Sequence, residues 1–310
     1  MSTPRSQFYA AYLLSAVNVL GYSILIPVLP FVVEQYGAPE WVYGLLLSAY
    51  SFFQFIGATW LGKLSDSMGR KKVLLLSHGG TLLCWVIFAG SYFLPNTPTV
   101  VGLALPLLVI LGARVVDGIT GGNSAVAEAF VSDITTPEEK KTIFSTLGGV
   151  AGLGMIVGPG LGGFFASGEY GYLGTVIFAG CISLVTLGFI VFGMQESLPV
   201  EKRRSQSGPP WWHNLNLPKR LSNLDEAPIV RSTLYLKMLF STLMSIYVST
   251  IVLFVIDLFS LNQRDLGLFM LMVGAFLSFN QMVVVKNMMA RWGSAVTLQR
   301  GLALASVGFV

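Results

Sequence analysis

Three charges interrupt an otherwise apolar run. Residues 100–131 are largely hydrophobic, yet they carry Arg114, Asp117 and Glu128. An arginine near the middle of an apolar helix costs at least about 2.5 kcal/mol on insertion scales, so it needs a partner or a polar cavity. Asp117 stands one helical turn away, at i+3, and is the partner that this spacing offers. The chemistry open to such a pair is proton exchange, because a neighbouring cation favours the carboxylate while burial opposes it. Two readings remain open for the pair: a proton-responsive or substrate-contacting group in a cavity, and a buried couple that only fixes packing. Glu128 reads either as a proton relay or as an acid reaching interfacial water. Gln54, in another apolar run, either lines a cavity or bonds a neighbouring helix.

Other kinds of chemistry find little support. There is no nucleophile–base pair, metal-ligand cluster or phosphate-cradling loop in the sequence, so neither an enzyme nor a cofactor is expected. The two cysteines, Cys84 and Cys181, lie in apolar stretches, and the histidines are His78 and His213 alone. Neither a disulfide framework nor a structural zinc site follows from that inventory.

The elements that must hold these residues are set by composition. The chain has 310 residues, 54% hydrophobic and 11% charged, with a mean hydropathy of +0.70. Soluble domains carry about 25% charged residues, so lipid is the expected solvent for much of this chain. Its 34 glycines are well above the average share of about 7%, as expected of closely packed membrane helices.

Apolar runs cover roughly 8–33, 42–62, 73–94, 100–131, 143–167, 172–194, 233–256 and 266–285, and a further one begins near Ala295. This predicts eight spanning helices and part of a ninth. The first run is too long for a signal-peptide core and reads as a retained helix. With the N-terminus in the cytoplasm, 17 of the 19 Lys and Arg fall on the inner side, Arg264 alone lies outside, and Arg114 is within the membrane. The positive-inside rule therefore predicts that orientation. The net charge of +4 then reflects topology and anionic lipid, with no need for nucleic acid. A polar, Pro-containing segment at 196–232 separates an expected bundle at 1–195 from a second, incomplete one at 233–310, and such halves are a recurring transporter plan.

Between the second and third runs lies GKLSDSMGRKKVLL, residues 62–75. Gly62 and Gly69 permit a tight turn with close backbone approach, and Asp66, Arg70 and Lys71 can make charged hydrogen bonds at the helix ends. In the fifth run, Gly154, Gly158 and Gly162 recur every four residues and form one smooth face, while Pro159 removes a backbone donor and can bend the helix. Gly163 extends that motif, GMIVGPGLGG.

The 62–75 segment resembles the helix 2/3 signature of the major facilitator superfamily. RVVDGITGGNSAVAEAFVSDIT at 114–135 resembles the matching segment of its tetracycline and multidrug proton antiporters. GMIVGPGLGG resembles their antiporter motif, and NVLGYSILIPVLP at 18–30 is in register with them. The resemblance is strong over 8–195 and weaker beyond. It implies an all-α membrane fold of two six-helix bundles with alternating access, here a complete N-terminal bundle and part of the C-terminal one. It also implies that Asp66, Arg70 and Asp133 form an inner gating network, and that Arg114 takes part in coupling.

Departures from the family pattern bear on mechanism. Asn18 and Cys84 stand where the tetracycline antiporters have acids in helices 1 and 3, and neither replaces a carboxylate as proton carrier near pH 7. Tetracycline itself is therefore not the expected substrate, and proton coupling would fall to Asp117, Glu128 or a later residue. KNMMARWGS at 286–294 reads as a decayed second copy of the loop signature that keeps Gly293. Tyr247, Asn280 and Gln281 are further cavity candidates. The expected function is secondary transport of a small organic molecule, with proton antiport as the coupling. An uncoupled or organic-anion carrier, a receptor or scaffold, and an inactive truncated product are the alternatives. Neither the membrane nor the oligomeric state follows from the sequence.

Overall fold

The computed structural model describes residues 5–99, 102–203, 211–212 and 228–308. Most of the expected linker, including His213, lies outside them. The helices are α1 (Arg5–Ser23), α2 (Leu29–Gln35), α3 (Trp41–Met68), α4 (Arg70–Ser91), α5 (Leu105–Gly121), α6 (Ser124–Ile134), α7 (Pro137–Ala166), α8 (Tyr172–Gly193), α9 (Pro228–Phe259), α10 (Gln263–Phe279) and α11 (Lys286–Gly308). Among the described residues, seven helical stretches are long and apolar enough to cross a membrane: 41–68, 70–91, 105–134, 137–166, 172–193, 230–259 and 263–293.

The first expected span is not one helix. It breaks after Ser23 into a buried turn over 24–28 before α2 resumes. Pro27 has no N–H to give to Ser23, and the turn is held by three-residue bonds, Ile26 N–H to the Ser23 carbonyl and Val28 N–H to that of Leu25. Pro30 then fits the first turn of α2, where a missing donor costs nothing.

The expected turn at Gly62 is also absent, because α3 continues to Met68. Open space surrounds the position a Gly62 Cβ would take, so this glycine serves neither turn nor close contact. Gly69 alone makes the break, at φ +102°, and α4 starts at the next residue. The second copy repeats that geometry. Helical residues run from α10 through a π-turn at Asn280–Val285 into α11, and Gly293 interrupts them at φ +78°. Instead of the expected loop from Lys286, there is a helix, one left-handed glycine and another helix, as at Gly69.

Helix packing depends on backbone approach at glycines. On one face of α7, an added Cβ at Gly154 would stand 2.7 Å from the Ala16 carbonyl oxygen, and one at Gly162 would collide with the Ile24 carbonyl. Gly158 meets Ser23, whose hydroxyl donates to the Gly154 carbonyl at 3.0 Å. On another face, Gly163 abuts Gln263 and Gly267 of α10, and Gly160 lies against Leu271. Thus α7 packs closely on both α1 and α10, and it remains one helix through Pro159. A second seam joins α3 to α5, where Gly57 faces the Ile119 backbone and Gly118 the Tyr50 carbonyl.

Gly162→Val therefore destabilises the protein by about 1–3 kcal/mol through overpacking. Gly148→Ala, which projects into open space, is neutral or stabilising by up to about 1 kcal/mol. Thermal unfolding of the detergent-solubilised protein separates the two, and equal melting temperatures would refute the seam.

Candidate functional site

Arg114 is buried, with 2% of its surface exposed, and its Nη2 lies 3.1 Å from Oδ2 of Asp117. The i+3 pairing expected from spacing is therefore present. The rest of the guanidinium is enclosed by aromatic rings: its carbon lies 5.7 Å from the centre of Tyr50, 5.4 Å from Trp85 and 5.6 Å from Phe88. Such ring faces attract a cation most when both are desolvated. The glycine seam positions the first of them, since Gly118 and Gly121 let α5 approach Tyr50 closely. The Nε of Arg114 has no hydrogen-bond partner among the described residues.

A cavity of about 10 Å³ adjoins this pair, walled by Asn18, Tyr50, His78, Thr81 and Asp117 among others. That is room for roughly one water molecule. Asn18 Nδ2 donates to Asn123 Oδ1 at 2.6 Å, and Asn123 Nδ2 donates to Ser77 Oγ at 3.0 Å. This chain ties α1 and α4 to the break between α5 and α6. His78 was not singled out by sequence reasoning, yet it is fully buried, with Nε2 3.0 Å from the Ser183 carbonyl. A carbonyl only accepts, so Nε2 carries the proton, and Nδ1 has no partner among the described residues. A lone histidine in an apolar run gives no periodic signal; only tertiary placement reveals it. Cys84 is buried nearby on α4.

Other candidates are placed less centrally. Gln54 Nε2 donates to the Tyr50 hydroxyl at 3.0 Å and to the Gly121 carbonyl at 3.3 Å, which is the helix-bonding arrangement. Glu128 lies exposed on α6, with no ion pair among the described residues. Tyr247 is exposed on α9, and Asn280 is half-buried in the π-turn. The side chain of Gln281 lies outside the described residues.

At the basic end of the bundle, Arg70 gathers the loop charges. Its Nη1 lies 2.7 Å from Asp66, its Nε 3.2 Å from Asp133, and it donates to Ser65 Oγ at 2.5 Å. Lys71 Nζ donates to the Val191 carbonyl at 2.7 Å, fastening α4 to α8. The start of the linker closes the cluster. Glu196 accepts from the Arg70 backbone N–H at 2.7 Å, Ser197 Oγ donates to Asp133 at 3.1 Å, and Arg203 stands 3.9 Å from Glu196. Glu196 and Arg203 occupy the space that a Cβ on residue 69 would need. Sequence reasoning missed Glu196 and Ser197 because their partners, Arg70 and Asp133, are more than 60 residues away, and Arg203 joins the cluster through Glu196.

A larger cavity, about 300 Å³, lies between the N-terminal helices and α9. Tyr22, Tyr43 and Met155 wall one side and Ser241, Ser245 and Ser249 the other. Those serines recur every four residues, a pattern that marks one polar face on an otherwise apolar helix.

Removing Arg114 or Asp117 alone leaves a buried charge unpaired and costs about 3–5 kcal/mol. The double variant Arg114→Ala with Asp117→Ala should lose less than the sum of the two. A double-mutant cycle on thermal unfolding reads that difference, and simple additivity would show that the pair is not coupled.

Comparison with known proteins places this geometry in a family. The Major Facilitator Superfamily pattern matches residues 11–310. A class G tetracycline resistance protein of Vibrio anguillarum is 31% identical over 99% of the chain and 74% of its own length. The class B tetracycline resistance protein of Escherichia coli is 34% identical over 60% of the chain, an alignment that spans only 44% of that relative. The crystal structure of the human organic anion transporter MFSD10 (TETRAN) superposes with a TM-score of 0.70 at 22% identity, covering 98% of this chain and 83% of that one, which is a likeness of fold. The chain is therefore a multi-pass membrane protein that belongs to the Major Facilitator Superfamily.

Proposed function

We propose that the protein is a secondary active transporter that moves a small organic molecule across a membrane by alternating access, coupled to protons moving the other way. The carrying observation is the 300 Å³ cavity walled by helices from both sides of the linker. It falls at the small end of the range for ligand pockets, with apolar walls and a few convergent hydroxyls. In this reading 1–195 forms one bundle, 196–232 the linker and 233–310 part of the second bundle, with the N-terminus and the Arg70 cluster in the cytoplasm.

The glycine faces of α7 support movement of one bundle against the other, because smooth backbone surfaces can slide where interlocked side chains cannot. The Arg70 cluster is placed to latch the inner end, joining α3, α4, α6 and the linker through short charged contacts. Asp117 is the coupling acid of this half. Protonating it would leave Arg114 as a buried cation held only by aromatic faces, a large change in the local energy that a bundle movement could relieve. Because Arg114 is already paired and enclosed, it is poorly placed to hold an organic anion.

Reconstituted in proteoliposomes, the protein should show substrate flux that rises with an opposing proton gradient, and flux indifferent to the gradient would remove the antiport reading. Arg114→Ala should lower coupled flux by about tenfold or more, the scale of a lost buried charge contact. Full coupled flux in that variant would exclude Arg114 from the mechanism.

A further inference from the structure

Tyr22, near the end of α1, stands between two cavities. Among the described residues it alone walls both the central cavity of about 300 Å³ and the water-sized one that Asp117 borders. Its ring stacks on that of Tyr50, with centres 5.4 Å apart and planes 26° from parallel. Tyr50 is in turn one of the three rings around the Arg114 guanidinium. The preceding residue meets a second of those rings, since a Cβ added at Gly21 would stand 3.4 Å from Trp85. The end of α1 is thus laid against the aromatic casing of the charged pair and also against the central cavity.

The two rings of the stack are held differently. Tyr50 is buried, and its hydroxyl accepts from Gln54 Nε2 at 3.0 Å. Tyr22 is only half-buried and lies one residue before the end of α1, where the helix gives way to the turn at 24–28. Stacking is a modest attraction, so the ring beside open space is the one that can be displaced. An acid open to the central cavity at all times would trade protons with it whether or not cargo was present. A ring set in the opening prevents that, as closed active sites prevent proton leakage.

We propose that Tyr22 is a positioning residue that partitions the central cavity from Asp117: stacked on Tyr50, its ring closes the small cavity, and displacement of the ring joins the two. The partition stands by itself. Its use, in which cargo in the central cavity moves the ring and so decides when Asp117 meets water, rests on the transport reading.

The test is the rate at which 2-aminoethyl methanethiosulfonate modifies single cysteines in the purified protein in nanodiscs, read by intact mass, with neither substrate nor gradient. Cys84→Ala and Cys181→Ala remove the native thiols. The reporters are Thr81→Cys on the wall of the small cavity, Ser245→Cys on that of the central cavity, and Ala127→Cys, buried on α6 and walling neither. With Tyr22 in place, position 81 should react at least about tenfold more slowly than position 245, as for a site reached only through a minor state populated about 10% of the time or less. Tyr22→Ala should raise the rate at 81 by about tenfold or more and leave that at 127 unchanged. Tyr22→Phe should keep the slow rate, because the ring and not the hydroxyl fills the opening. Should Tyr22→Ala fail to fold, the comparison of positions 81 and 245 with Tyr22 intact decides. Equal rates at those two positions, no change at 81 in Tyr22→Ala, or acceleration at 81 and 127 alike overturns the proposal, the last because a loosened bundle would then be the cause. A protected position 81 in a protein whose flux ignores the proton gradient would count against the transport reading alone, and an unprotected one in a protein with gradient-driven flux against this proposal alone.

Discussion

Close backbone approach at glycine is the constraint on which the rest of this structure depends. In lipid, burying an apolar side chain against another helix gains little over leaving it against acyl chains, so helices associate by packing. Here the seams are glycine faces: Gly154, Gly158 and Gly162 toward α1, Gly160 and Gly163 toward α10, and Gly57 with Gly118 between α3 and α5. Each seam does more than hold helices together. The α3–α5 seam brings Tyr50 over Arg114, and the α7 seams place Met155 on the wall of the central cavity. Filling one of these positions would therefore disturb a side-chain or cavity wall as well as a helix contact.

Charge is handled in two ways, and the difference follows from solvent access. At the basic end, Asp66, Arg70, Asp133 and Glu196 are partly exposed, so water moderates their contacts and several can share one guanidinium. Inside the bundle that moderation is lost. Arg114 and Asp117 pair with each other, and aromatic rings take up the remaining faces of the guanidinium. Screened contacts break at modest cost, whereas removing either member of a buried pair is expensive.

Much of this was legible in the sequence, and what was not has a common cause. The spans followed from hydropathy, the pairing of Arg114 with Asp117 from helical spacing, and the α7 seam from glycine period, all of them local properties. The break at 24–28 was missed because apolar composition continues through it, while the prolines that cause it are tolerated at helix starts. Gly62 looked like a turn residue because glycine permits but does not require one; the surrounding residues keep the helix going to Met68. Glu196, Asn123 and His78 became visible only in three dimensions, since their partners come from distant segments.

The repeated glycine joint links these observations. Gly69 and Gly293 adopt nearly the same backbone conformation, although the charged residues around the first have no counterparts at the second, where Ala290 stands in the place of Asp66. The joint is therefore specified by backbone geometry, which demands glycine because φ is positive, and the charges are a separate layer. In the first copy that layer holds the joint to α6 and the linker through Arg70. In the second, Arg300 instead stacks on Trp292 at 3.9 Å, a contact within α11. Two joints of one backbone shape thus carry different side-chain contacts, so the turn itself does not depend on the Arg70 cluster.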